Sequence, residues 1–210
     1  MKGLLDPDSP FNQFLVRIAD LCIINVLMLI CCLPIITIAP ACISLYDVIA
    51  HCIHGPDEHP YKRFFRTFKA ELLRGIGISV LWGVIGFVLM MGYNVLYQLG
   101  KTSPFAAMYS IIYLASMLIP IAIFGWLIPI ESRFTHSFGS LHKTAATFAI
   151  VHLPTTGIIL GLLAIGLILI FFVPALAFLM PGILVTLQCW FIEKVFKKYI
   201  PQEDTDDTAE

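Results

Sequence analysis

Long uncharged stretches alternate with short polar segments along this chain, and each stretch is long enough to cross a membrane. A spanning helix needs about 20 apolar residues to cross a hydrocarbon core of ~30 Å. The spans are predicted near residues 20–47, 76–98, 105–130, 150–172 and 175–193. The predicted fold class is therefore all-α: a polytopic membrane helix bundle of about five transmembrane helices with short interfacial amphipathic helices. We expect residues 1–200 to form a single membrane domain.

The first stretch is interrupted by proline. Asp20 and Asp47 flank it, and Pro34 and Pro40 lie inside it. Each proline removes a backbone donor and clashes with the preceding turn, so the helix is kinked or broken. We expect a full crossing with a kink at Pro34. The alternative is a re-entrant hairpin, which would leave four spans.

The last stretch is too long for one span. Residues 144–192 carry no charge, and as one helix they would measure about 73 Å, more than twice the ~30 Å core. The chain must fold back, and Pro174 is favoured over Pro181-Gly182 as the break.

Two polar segments have amphipathic helical patterns. Residues 9–19 predict a short interfacial helix that leads into the first span. Residues 60–74 predict a basic, aromatic-rich helix suited to anionic headgroups or to packing on the bundle. Its expected membrane-surface residues are Lys62, Arg63, Arg66 and Lys69. The acidic tail 201–210 is predicted to be disordered.

Composition agrees with a membrane protein and excludes other classes. The chain has 59% hydrophobic and only 13% charged residues, with mean hydropathy +0.88. A net charge of −1 gives no basic field for nucleic acid. The six cysteines form no CxxC pair and mostly lie in apolar runs, so we expect small buried side chains rather than a disulfide framework.

The basic residues predict an orientation. With five spans, every Lys and Arg except Lys2, Arg17 and Lys101 lies on one side of the membrane. The positive-inside rule makes that side cytoplasmic. We therefore expect the N-terminus outside and the C-terminus in the cytoplasm.

Few polar side chains interrupt or border the spans, and these are the candidate functional positions. They are Asp20, Asn25, Pro34, Thr37, Asp47, Glu131 and Arg133. Ionisable groups near a membrane are functional candidates, although a structural role is favoured for Asp20 and Asp47 at the interface. Asn25 and Thr37 either satisfy carbonyls freed by Pro34 or line a polar path. Glu131 and Arg133 are two apart, so an ion pair between them is not implied.

A histidine-rich loop, residues 51–59, is the best ligand-like group in the sequence. Its candidates are His51, His54 and His59, accompanied by Cys52, Asp57 and Glu58. These groups suit zinc or another transition metal, but the spacing matches no established zinc pattern. We therefore predict no metal and no cofactor. No catalytic or nucleotide-binding motif is present, so the chain is not expected to be an enzyme.

Several short motifs together resemble a bacterial family. They are Asp6-Pro7-Asp8-Ser9-Pro10-Phe11, Asp20, Asn25, Cys32-Leu33-Pro34-Ile35-Ile36-Thr37-Ile38, Phe64-Phe65, Phe68-Lys69, Pro129, Arg133-Phe134 and His152-Leu153-Pro154-Thr155. The chain resembles the YesL family, also called DUF624, over most of its length to about residue 155. The resemblance implies about five spans in a bacterial plasma membrane and no established activity.

The resemblance also implies a biological setting, because family members are often encoded near carbohydrate-uptake and carbohydrate-degradation genes. We therefore expect an accessory or regulatory membrane component in carbohydrate uptake or utilisation. Its expected partners are the lipid bilayer and sugar ABC transporter subunits. The alternatives are a small transporter or channel for a neutral solute, and a membrane enzyme with a metal in the 51–59 loop.

Overall fold

The computed structural model describes residues 10–53, 59–101, 103–134 and 137–199, and every regular element in these ranges is helical. The α-helices are α1 (Pro10–Cys31), α2 (Ile38–Val48), α3 (Pro60–Ala70), α4 (Leu72–Gly100), α5 (Pro104–Ser116), α6 (Leu118–Arg133), α7 (Phe138–Val151), α8 (Leu153–Phe172) and α9 (Met180–Phe196). The shorter elements are 3-10 turns at Ile35–Thr37 and Pro174–Phe178 and a π turn at Ile49–Ile53. The predicted all-α fold class is confirmed. The acidic tail 201–210 lies outside the described residues.

Four helical segments are long and apolar enough to cross a membrane. They are Ile35–Cys52, Leu72–Gly100, Pro104–Arg133 and Leu153–Phe172. The first differs from the others because 72% of it is buried inside the protein, against 11% for Leu72–Gly100. Helix α9, with 17 residues, is at the short end of the ~17–25 residue range for a spanning helix.

Helix α2 is the centre of the fold. It contacts α1, α3, α4, α6 and α9, and nearly all of its residues are buried. Small residues allow this close packing. At Gly75 of α4, an added Cβ would lie 2.7 Å from ring carbons of Pro40. The hydroxyl of Ser79, one turn further along α4, accepts a 2.9 Å hydrogen bond from the Ala39 N–H.

Helices α1 and α2 form an N-terminal hairpin, so residues 20–47 are two separate helices rather than the one kinked helix that the sequence favoured. Helix α1 ends at Cys31, before the turn at Pro34. Asp20 then accepts a hydrogen bond from Tyr61 of α3, while Asp47 binds Arg63, only two residues further along α3. A straight helix would separate Asp20 from Asp47 by about 40 Å. The two ends of the segment instead meet at α3, as the alternative hairpin predicts.

Prolines determine where the later helices break. Helix α5 ends at Ser116, whose carbonyl is the one that Pro120 leaves without an i+4 donor. Helix α8 ends at Phe172, immediately before the Pro174–Phe178 turn and α9.

The amphipathic segment after residue 60 bends at Glu71, where α3 ends and α4 begins. Residues 10–19 are not a separate interfacial helix, because α1 continues through them without a break.

Candidate functional site: a buried charge network

Asp47 lies at the centre of a network of charged side chains. Asp47 is only 5% exposed to solvent. Arg63 binds it with two N–H groups, Nε to Oδ2 at 2.8 Å and Nη2 to Oδ1 at 3.0 Å. The Thr67 hydroxyl donates to Oδ2 at 2.7 Å. The carboxylate is therefore held by a bidentate, charge-assisted pair, which is the strongest arrangement available to a guanidinium.

His51 connects Asp47 to the rest of the network. It lies in the π turn Ile49–Ile53, and such turns are rare and occur frequently at functional sites. Its Nδ1 lies 3.0 Å from Asp47 Oδ1, and its Nε2 lies 2.7 Å from Arg133 Nη1. A guanidinium can only donate. Nε2 is therefore the acceptor in this contact, and Nδ1 faces Asp47.

Arg133 completes the network with Glu193 of α9. Its Nε donates to Glu193 Oε1 at 2.9 Å, and its Nη2 lies 2.8 Å from Oε2. The hydroxyl of Tyr46, next to Asp47 on α2, donates to Glu193 Oε1 at 3.1 Å. Two bidentate ion pairs are thus joined through one imidazole, and the network connects α2, α3, α6 and α9.

A separate pair lies beside this network. Arg74 Nε, near the start of α4, is 2.6 Å from Glu131 Oε1, and the Glu131 side chain is 1% exposed. Glu131 and Arg133 therefore pair with different helices rather than with each other, as their spacing predicts. The carboxylates of Asp47, Glu131 and Glu193 each face one guanidinium, that of Arg63, Arg74 or Arg133. A further carboxylate, that of Glu71, lies beside Glu131. The ion pairs hold the helices together.

Asp20 takes part in an exposed contact, apart from the buried network. The Tyr61 hydroxyl donates to its Oδ1 at 2.5 Å. This hydrogen bond, with smaller contributions from desolvation and the negative charge of Asp20, raises the pKa of the Tyr61 phenol. The contact connects α1 to α3 at the edge of the hairpin.

Asn25 and Thr37 satisfy backbone groups at chain breaks. Asn25 is 1% exposed. Its amide donates to the Phe178 carbonyl, and its oxygen accepts from the Gly182 N–H at 3.0 Å, in the first turn of α9. The Thr37 hydroxyl lies 2.6 Å from the carbonyls of Cys31 and of Pro34 at the hairpin turn. Pro34 itself is exposed at that turn.

The predicted membrane-surface residues of α3 divide into two groups. Lys62, Arg66 and Lys69 are exposed, whereas Arg63 turns inward to Asp47. The histidine candidates are also separated. His51 belongs to the network, His59 is exposed before α3, and His54 lies outside the described residues. Within the described ranges, no three His, Cys, Asp or Glu side chains come close enough to hold a metal ion.

Sequence reasoning missed four members of these contacts: Tyr46, Thr67, Arg74 and Glu193. One signal was available for Glu193, because it is the first charge after the long uncharged stretch 144–192. Arg133 is likewise among the first charges after residues 102–130. This signal is not specific, because Lys101 and Lys143 border the same uncharged stretches.

The fold and this network define an all-α bundle whose helices are able to span a membrane. Comparison shows which family part of the chain resembles. The family model described as "Protein of unknown function, DUF624" matches residues 21–93. The matched region contains most of the N-terminal hairpin, α3 and most of α4. The predicted resemblance to DUF624 is confirmed over this part of the chain. The comparisons with curated proteins and with solved structures give no match.

Proposed function

We propose that this protein is an integral membrane component that acts through binding to a partner in bacterial carbohydrate uptake or utilisation. Its partners would be subunits of a sugar ABC transporter. The carbohydrate setting comes from the family resemblance alone. A binding role, in preference to solute transport, is supported by where the protein uses its polar groups and where it leaves them exposed.

Three polar side chains that could line a solute path are hydrogen-bonded to the backbone of the protein itself. Asn25 holds the start of α9 and Thr37 holds the hairpin turn. Asn94 donates to the Met90 carbonyl of its own helix at 3.0 Å and is exposed. Neutral sugars need a series of exchangeable hydrogen-bonding groups, so these fixed roles favour binding over transport.

A surface rich in exposed Lys and Arg side chains is the main support for this proposal. We call the exposed residues at the end of the bundle near the charge network the basic surface. It consists of Lys62, Arg66 and Lys69 on α3, and Lys194, Lys197 and Lys198 at the end of α9. The network explains why these segments share one end, because Asp47, His51 and Arg133 connect Arg63 of α3 to Glu193 of α9. Such a surface fits an acidic partner or anionic headgroups.

The hairpin also supports a revised orientation. If it does not cross, the N-terminus lies on the same side as α3, and four crossings remain: α4, α5–α6, α8 and α9. Of the 13 Lys and Arg residues, every one except Lys101 then falls on the side of the basic surface. By the positive-inside rule that side is cytoplasmic, and both termini lie there.

Affinity purification from native membranes in mild detergent tests the proposal. The wild-type protein is compared with a variant that carries Lys62→Glu, Arg66→Glu and Lys69→Glu, and with the control Lys101→Glu. We expect wild type and control to recover sugar ABC transporter subunits, and the triple variant to recover at least fivefold less. Recovery of no transporter subunit by wild type, or equal recovery by all three proteins, would reject the proposal.

A further inference from the structure

An apolar cavity of about 380 Å³ opens between the N-terminal hairpin and the two long helical segments α4 and α5–α6. The hairpin turn contributes Ile35 and Ile38, α4 contributes Gly83 and Met90, and α6 contributes Phe124. Its wall has one hydroxyl, that of Ser79, which accepts a hydrogen bond from the Ala39 N–H, and the Trp82 indole N–H donates to His142 Nε2. The cavity therefore offers mainly dispersion contacts.

Two glycines leave the α4 wall open. At both Gly83 and Gly86, a Cβ atom would have no neighbour within 4 Å. At Gly75 on the same helix, by contrast, the Pro40 ring occupies the space that a Cβ atom would need. The neighbouring Phe87 side chain is 70% exposed, so this part of α4 faces the surroundings of the protein. In a membrane those surroundings are hydrocarbon.

The size of the cavity limits which kind of molecule can occupy it. Along α4 the cavity extends from Ser79 to Met90, a length of about 16 Å for a helix rise of 1.5 Å per residue. A helix ~10 Å wide and of that length would occupy roughly 1,200 Å³, more than the space between the lining helices. A helix of a partner or of a second copy would therefore not fit inside the cavity. A single extended hydrocarbon chain has the required shape.

We propose that this cavity is a binding site for one acyl chain of a membrane phospholipid. The chain would lie along α4 beneath the hairpin turn, with its headgroup outside the cavity. A chain bound here is stabilised by van der Waals contacts with the lining side chains, because an empty cavity leaves those side chains without contact atoms on one side. The site is independent of the proposed binding to a transporter.

A photoactivatable lipid tests this assignment. The full-length protein is reconstituted in phosphatidylglycerol vesicles that contain a trace of phosphatidylglycerol with a diazirine at mid-chain, and labelled peptides are mapped by mass spectrometry. We expect labelling of wild type to concentrate in residues 79–90 and 117–124. The variant Gly83→Phe, which places a ring in the cavity, should reduce this labelling at least fivefold.

Gly157→Phe is the matched control. Gly157 is an exposed glycine of α8 that also has no neighbour within 4 Å of its Cβ position, and it lies outside the cavity. Its labelling should equal that of wild type. Equal labelling of α4 in Gly83→Phe, or labelling of wild type spread evenly over α4 and α8, would overturn the site. If Gly83→Phe is not monodisperse, Gly86→Leu is used in its place and must meet the same criterion.

A competition experiment tests the kind of chain. Replacing part of the unlabelled phosphatidylglycerol with an isoprenoid alcohol should leave the labelling of residues 79–90 unchanged. A loss of this label when the isoprenoid alcohol is present would overturn the assignment to an acyl chain.

Discussion

Asp47 shows how this protein keeps a charge in an apolar helix. A carboxylate removed from water is costly unless charge and hydrogen bonds surround it. Arg63, Thr67 and His51 supply both. Removing one partner of a buried pair leaves the other charge uncompensated, and that loss is much larger than the net stability the pair contributes.

Asp47→Ala should therefore destabilise the protein strongly. We expect a loss of about 3 kcal/mol, typical of breaking a buried ion pair, seen as a large drop in melting temperature in detergent. The control is Asp20→Ala, which also removes a carboxylate bound to α3, but at an exposed contact. It should cost less than about 1 kcal/mol. Equal losses for the two variants would contradict a special role for the network.

The hydrogen bond between Tyr61 and Asp20 should depend on pH in the alkaline range. This hydrogen bond raises the pKa of the Tyr61 phenol above the ordinary value of about 10. Because the folded pKa is raised, the contribution of the bond is fully present below that ordinary value and is lost as pH rises through the folded pKa. The difference in phenolate absorbance between wild type and Tyr61→Phe should show a titration above the ordinary range. Asp20→Asn should move it down, and an unchanged titration would contradict the contact.

The individual candidates of this site could be predicted from sequence, but their partners could not. Asp47 and Arg133 were found because charges beside a span are rare and costly. Their partners lie 16 and 60 residues away, a separation that periodicity along one helix cannot detect. Arg63 was placed on the outer surface because its sequence neighbours are basic, whereas the direction of its side chain depends on where α2 lies.

At the scale of elements, two glycines on α4 differ in their surroundings: Gly75 is tightly packed and Gly83 has no neighbour. Gly75→Ala places a methyl group against the rigid Pro40 ring, and we expect a loss of about 1–3 kcal/mol from overpacking. Gly83→Ala meets no neighbour and should be neutral, or more stable by up to about 1 kcal/mol, because alanine favours helix. Thermal unfolding in detergent measures both variants, and similar melting temperatures would contradict the close packing of α2 on α4.

Asn25 connects two distant elements, and its removal should affect α9. Asn25→Ala leaves the Gly182 N–H and the Phe178 carbonyl without this partner, which costs about 1–3 kcal/mol per buried group. Hydrogen exchange should increase at the start of α9. Asn94→Ala is the control, because that exposed amide bonds only within α4. Unchanged exchange near Gly182 in Asn25→Ala would contradict this capping role.

Helix positions were predictable from hydrophobic runs and prolines, but the path of the hairpin was not. Residues 20–47 satisfy the length and composition of a span equally well whether they cross or turn back. The decision depends on tertiary contacts, namely Asp20 with Tyr61 and Asp47 with Arg63. Burial of α2 also follows from its neighbours, since its own composition resembles that of a lipid-facing helix.

For the whole molecule, the hairpin predicts that both termini face the same compartment. Epitope tags at the N- and C-termini should both be protected in intact spheroplasts and accessible after permeabilisation, because four crossings return the chain to its starting side. A tag inserted beside Lys101, between α4 and α5, should be accessible without permeabilisation. Exposure of the N-terminal tag in intact spheroplasts would restore the five-span topology.

The charge network also imposes an order on biogenesis. Synthesis delivers Asp47 and Arg63 early, Arg133 much later, and Glu193 only when the last helix emerges. Until then Arg133 lacks its carboxylate, and α2 lacks its contact with α9. A chain that stops before α9 would therefore leave Arg133 bound to His51 alone, inside an incomplete bundle.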